Sequence, residues 1–327
     1  MTTQTALDRL AAQRPVPALP DVHARQRLLT EVLARPQEPA VVPPLRSRPR
    51  GRTLLAGGLV AAAVAAAVVV PATFPGSSAP TTAAAYAATP PVLAFSGERG
   101  TDERAGSLLR ELAEVAARQP APTGAGRFSF VESRGWYLDL ELHSDGTTTG
   151  GVDPVLRRSW IASDGSGRAE ETRAGAELRD DYGPGGLSGP QELSTDVPTL
   201  ARQLREEGGF YGTPSWLDAV AEVWKRQVVT PGVQAAMLRV LALQQDLVVL
   251  GDGTDRLGRP GVALATESDY SGLRTRYVLV VSRSTGALLD FEQVALEAGR
   301  MPVRAPATTS YTAWVRSGFT STTHQEP

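Results

Sequence analysis

The chain has 327 residues, is 42% hydrophobic and 21% charged, and carries a formal net charge of −2. That length allows one large or two ordinary domains. The absence of cysteine excludes disulfides, thiolate metal sites, iron–sulfur clusters and cysteine nucleophiles.

Charge and aromaticity are spread unevenly. Residues 1–52 hold nine Arg against four Asp or Glu (+5), residues 53–70 hold no charge, and the remainder holds 24 Lys or Arg against 31 Asp or Glu (−7), which together give −2. All 19 aromatic residues (5 Trp, 7 Tyr, 7 Phe) lie beyond residue 71. Aromatic side chains dominate core burial, so the large core is expected C-terminal to that point.

Residues 1–35 read as a short cytoplasmic helical segment. Within it, "DVHARQRLLTEVLAR" opens with Asp21 as an N-cap and sets Val22, Leu29, Val32 and Leu33 on one side, a candidate face for docking on a partner. So narrow a stripe also fits a weakly ordered tail with nascent helix. Residues 36–52 form a Pro/Arg-rich juxtamembrane spacer.

Residues 53–70 are expected to be a transmembrane helix. The 17 uncharged residues Leu54–Val70 are apolar all round and span roughly 26 Å of helix against a hydrocarbon core of about 30 Å. Arg46, Arg48, Arg50 and Arg52 precede the run and no Lys or Arg follows until Arg99. The positive-inside rule therefore predicts a single-pass plasma-membrane protein with the N-terminus in the cytoplasm and the bulk outside. A cleaved signal peptide competes, with the small residues of Ala83–Ala88 as a processing site. However, about 50 residues precede the run, far more than an ordinary n-region.

Residues 71–91 are a Pro/Ser/Thr/Ala linker by composition, and an extracytoplasmic α+β domain is expected over 92–327. "DERAGSLLRELAEVAARQ" spaces Leu108, Leu109, Leu112, Val115 and Ala116 as a helix. "RFSFVESRGWYLDLELHSDG" places Phe128, Phe130, Trp136, Leu138, Leu140 and Leu142 at even positions, a period-2 strand pair with one buried face. "LRRSWIASDGSGRAEETRAG" reads as a hairpin turning at Asp164–Gly167. Three helices follow, with starts at Pro198, Thr213-Pro214 and Thr230-Pro231, the last two with Thr as N-cap and Pro at the first helical position. Then come two strand–turn–strand units, "DLVVLGDGTDRLGRPGVALATESD" and "LRTRYVLVVSRSTGALLDFEQVAL", and a last strand "TTSYTAWVRSGF". Consecutive hairpins predict a curved, half-barrel-like antiparallel sheet with helices packed on one face. Trp216, Trp224, Met237 and Leu241, on the inserted helices, are either core or the lining of an apolar ligand cavity.

No catalytic motif emerges. His23, His143 and His324 lie in different segments without metal-ligand spacing. "GDGTD" lacks the regular oxygen ligands and distal Glu of a calcium loop and reads as a hairpin turn, as does "SDGSGR". No metal or cofactor is therefore expected, and no enzymatic activity. The basic stretch is short and abuts the apolar run, which suits topology and anionic lipid better than nucleic acid.

At "WIASDGSGR" and "GDGTDRLGRPGVAL…YVLVVSRSTGALLDFEQV" the sequence resembles a family of actinomycete single-pass membrane proteins often encoded beside extracytoplasmic-function sigma factors. The resemblance covers the whole layout and implies a role in sigma-factor signalling. The hairpin "VSRSTGALLDFE" is also similar to those of lipoprotein-carrier and sigma-regulator sensor domains, which form half-open antiparallel barrels plugged by helices. The expected function is a non-enzymatic membrane-anchored sensor, with the lipid bilayer and a sigma factor or other cytoplasmic regulator as partners. A membrane-anchored carrier of a lipid or other hydrophobic extracytoplasmic ligand is the alternative.

Overall fold

A computed structural model describes residues 87–97, 104–142, 148–173, 175–206 and 212–327. The expected transmembrane helix, the two flanking linkers up to residue 86 and the docking face Val22, Leu29, Val32 and Leu33 lie outside the described residues. Among the described residues no helix is long and apolar enough to cross a membrane.

The described chain is α+β, as the patterning predicts. Helix α1 (Ala105–Ala117) precedes four strands, β1 (Phe128–Leu142), β2 (Thr148–Ala162), β3 (Gly167–Arg173) and β4 (Ala176–Tyr182). Three helices follow, α2 (Val197–Glu206), α3 (Thr213–Arg226) and α4 (Pro231–Leu241). The chain then returns as β5 (Val248–Thr254), β6 (Pro260–Ser268), β7 (Thr275–Val281), β8 (Leu288–Ala295) and β9 (Ala307–Thr320). All nine strands form one antiparallel sheet in the order β4-β3-β2-β1-β9-β8-β7-β6-β5. Two meanders are thus joined where β9 pairs with β1. Register shifts at β1/β9, β5/β6, β7/β8 and β8/β9 are bulges of the kind that bend strands. The sheet curves but does not close, because β4 and β5 remain as edges.

One face carries the helices. Alternation along β6 and β7 sends Val262, Leu264, Tyr277, Leu279 and Val281 into the main core, together with the buried sides of α1, α2, α3 and α4. Helix α1 packs on α4, and Ala113 and Ala116 of the first and Ala235 and Ala236 of the second are essentially inaccessible. Under α1 the β7–β8 turn comes so close that a Cβ on Gly286, at φ +67, would lie 2.6 Å from the Leu112 carbonyl oxygen. A glycine is needed there on both counts.

Two expectations are corrected. "RFSFVESRGWYLDLEL" is one 15-residue strand rather than a pair, because its bend at Glu132/Ser133 is a bulge against β9, not a turn. Thr213 is the first residue of α3 and not its cap. Gly212 takes the cap position, and the Thr213 hydroxyl instead bonds Asp246, whose other oxygen accepts from Thr266 Oγ1 at 3.0 Å. This ties α3 to β6 from the side. Thr230, by contrast, holds the cap position of α4 as expected, with Pro231 first in the helix, and its side chain makes no capping hydrogen bond.

The second sheet face is also covered. Ala263, Ala265, Val278, Val280 and Leu289 form a second cluster beneath Phe95, and Phe128, Phe130, Trp160 and Ala162 form a third. The C-terminal tail closes the third, with Trp160 Nε1 donating to the Gln325 carbonyl at 2.6 Å. Strands buried on both faces read as continuous apolar runs, which explains why "YVLVV" lacks alternation.

Candidate functional site

Of the sequence-predicted cavity residues, Trp216, Met237 and Leu241 are buried members of the main core. Trp224 is half-buried at its margin and meets Trp314 edge-on at 6.2 Å. None of the four lines either of the two larger cavities described.

The more informative site lies on the outer face, where the chain enters the domain. The start of the domain is held earlier than Val92: the Ala87 N–H donates to the Pro302 carbonyl of the β8–β9 loop at 2.7 Å. Farther along, Ser96 N and Gly97 N donate to the carbonyls of Asp252 and Leu250 on β5, and Asp252 N donates back to Ser96 Oγ. The "GDGTD" glycines make this possible. A Cβ on Gly251 (φ +100) would sit 2.4 Å from Gly97 N, and one on Gly253 would sit 2.6 Å from the Phe95 ring. That motif, expected to be only a hairpin turn, is largely strand β5 and the seat of the entering segment.

Beneath the segment is a cavity of about 450 Å³, within the usual range for small-molecule sites. Leu93, Phe95, Leu250, Val278, Val294 and Leu296 give it apolar walls, and Glu292 and Arg276 are its charged members.

A buried ion cluster borders this cavity. Asp290 and Glu292 straddle Phe291 on β8; Phe291 enters the main core, so both acids face outward under the β5–β6 turn. In that turn Asp255 accepts from Leu257 N, Arg259 N and Arg259 Nε at 3.0, 2.7 and 2.7 Å. Arg256 makes a bidentate pair with Glu292, Nε–Oε1 2.6 Å and Nη2–Oε2 2.8 Å. It also lies over the Tyr311 ring at 4.9 Å and donates from Nη1 to the Pro91 carbonyl at 2.8 Å. One guanidinium therefore holds the sheet, the turn and the entering segment together. Arg316 plays a similar part for the C-terminal tail, bonding Glu132 at 2.7 Å and Glu326 at 2.6 Å.

Three carboxylates, Asp255, Asp290 and Glu292, face two guanidiniums, Arg256 and Arg259. Asp290 carries the imbalance: it is inaccessible, its Oδ2 accepts from Arg256 N at 3.1 Å, and its Oδ1 has no partner. Burial, reinforced by the neighbouring Glu292 charge, holds its carboxyl well above the ordinary Asp range. Such a group supports the fold below its unfolded pKa, and that support is lost as pH rises through the folded value. Asp290→Asn, which cannot ionise, is therefore expected to gain melting temperature relative to the unaltered chain on going from about pH 4 to about pH 8. Parallel thermal melts at the two pH values check it, and a difference independent of pH would refute it.

No sign of this cluster was read from the sequence. The available signal was "LLDFEQV", two acids on one face of a strand, on which the adjacent β7 sets Val278 and Val280 beside Arg276. Among the described residues no group of three or more His, Asp or Glu is disposed to hold a metal ion, and the described histidine, His324, is exposed. Compared with known proteins, the chain matches no family model and no curated sequence.

Proposed function

We propose that this chain is a membrane-anchored, non-enzymatic sensor and regulator linked to sigma-factor signalling. Residues 53–70 hold it in the plasma membrane, residues 1–35 report to a sigma factor or other cytoplasmic regulator, and the distal domain receives the envelope signal. The observation that carries this reading is the attachment of segment 87–97. The first described stretch after the apolar run is bonded into the sheet over a cavity and pinned by an arginine whose side chain is 10% exposed. A change in cavity or cluster therefore acts on the part of the chain that leads to the anchor.

The test is co-purification of the tagged full-length chain from its host, beside a variant with Leu29, Val32 and Leu33 changed to Asp. Retention of a sigma factor by the first and its loss by the second is the expected result. A reporter fused after Ala88 that is active only in the cytoplasm would remove the topology and the sensor reading with it.

A second reading, an anchored binder or carrier of a hydrophobic ligand, is favoured by the apolar walls of the same cavity. Native mass spectrometry of the detergent-solubilised chain tests it. Binding of a lipid that Leu93→Asp abolishes supports the carrier, and the absence of any bound lipid counts against it.

A further inference from the structure

We infer that the Asp255–Arg259 turn is a proton-operated latch on segment 87–97, closed by the Arg256–Glu292 ion pair and opened when Glu292 takes up a proton. The inference deepens the sensor reading by naming acidification as its stimulus, and rests on that reading for its biological meaning.

The geometry makes Arg256 the joint at the middle of the segment, between the backbone bonds of Ala87 on one side and of Ser96 and Gly97 on the other, so the stretch around Pro91 is what it releases. Its Nε and Nη2 are committed to Glu292 and its Nη1 to the Pro91 carbonyl, while Nη2 also reaches Thr308 Oγ1 at 3.2 Å. The Arg256 side chain is only 10% exposed and that of Glu292 only 1%. A guanidinium so enclosed needs its counter-ion. Once Glu292 is neutral, moving to water is favourable for Arg256, and the Pro91 bond goes with it. Glu292 lines the cavity, so the proton acceptor borders open space.

The groups around the pair leave no substitute anion. The turn presents Asp255, already bound by Arg259, and β8 presents Asp290, whose Oδ2 takes the Arg256 N–H and whose burial disfavours the anion. Strand β7 presents Arg276, held by Glu267 at 2.9 Å. Strand β9 presents Tyr311, with Arg134 of β1 in its field. Segment 87–97 contributes no titratable group.

The direction of titration favours a local opening over unfolding. Burial lifts the Glu292 carboxyl above the ordinary Glu range although Arg256 opposes it. A raised folded pKa means that acidification through it does not cost the fold stability. Carboxylates that do stabilise the fold as anions behave oppositely. Glu114, Asp164 and Asp196 are held low by hydrogen bonds to Arg239, Ser166 and Thr199, so their loss comes at lower pH. The latch therefore opens first.

The chain contains no cysteine, so a spin-label pair at Ala88→Cys and Gln245→Cys can be placed on the full-length protein in detergent. A single narrow distance peak is expected at about pH 7.5 and its loss at about pH 4.5, a range that brackets an elevated carboxyl. Glu292→Gln in the same background is expected to lack the narrow peak at both pH values, and Glu267→Gln to behave as the unaltered chain. A peak that persists at both pH values overturns the latch, and so does a peak that Glu267→Gln abolishes at neutral pH. Should Glu292→Gln not fold, the pH pair on the otherwise unaltered chain decides alone. Partner retention measured on the same samples separates the two readings. A moving peak with no cytoplasmic partner in either state removes the sensor and leaves the latch. A fixed peak with a bound partner removes the latch and leaves the sensor.

Discussion

Arg256→Ala is expected to destabilise the domain by about 3–5 kcal/mol near neutral pH, the usual cost of leaving one partner of a buried ion pair uncompensated. For a domain of this size that corresponds to a fall in melting temperature of roughly 6–20 °C. The stranded group is Glu292, 1% exposed, which loses both of its short bonds. Lost with them are the bond to the Pro91 carbonyl and the contact over the Tyr311 ring. Protonation relieves the stranded carboxylate, so the deficit should shrink as pH falls toward about 5. An ordinary loss of packing would not depend on pH in that way. The double variant Arg256→Met/Glu292→Met should be far closer to the unaltered chain than Arg256→Ala, because apolar replacement of both partners removes the desolvation penalty with the attraction. Thermal unfolding of the three proteins at two pH values tests the whole argument. A loss below about 1 kcal/mol would place the pair with solvent-screened surface bridges and refute its burial.

This cluster also shows where the sequence stopped being legible. The hairpins around Gly258 and Gly286 were readable because turn chemistry is local: each needs a positive φ between two β-branched or apolar runs. Helix α1 was readable because Leu108, Leu109, Leu112 and Ala116 share one side at helical spacing. The outer face of β6–β8 was not, because its cover is made of chain far away in sequence. Phe95 reaches Val278 and Leu289, and Pro91 reaches Arg256. Asp290 and Glu292 look like solvent-facing residues of an edge-like strand until β7 and β9 are placed on either side of β8 and the turn above it. The same non-locality hid the role of Gly251 and Gly253, whose missing side chains matter only when residues 95–97 lie against them. Thr213 misled for a related reason. The Thr-Pro pair marked the start of α3 correctly, but Asp246 competes for the hydroxyl and takes it away from capping.

Leu241→Ala and Met237→Ala are each expected to cost about 2–5 kcal/mol, the range for truncating fully enclosed aliphatic side chains. Both are at most 1% exposed, and both lie in α4, whose buried side also carries Val233, Ala236 and Val240. Wall residues of a ligand cavity behave differently. They already face empty space, so truncation removes few contacts and changes ligand binding more than stability. Denaturant unfolding of the two variants decides between these accounts: losses under about 1 kcal/mol would return the α3–α4 region to candidacy as a ligand cavity. The expected large loss instead assigns the helices the work of filling the hollow of the curved sheet. Trp224 fits this division, since it closes the margin of the core against Trp314 rather than opening a passage into it. With the inner face filled, the larger spaces described lie outside the main core. One is at the start of α1 beside β5, and the other is under segment 87–97. Of the two, only the second is roofed by segment 87–97, so a ligand or proton taken up there meets the residues that also hold that segment to the turn and the sheet.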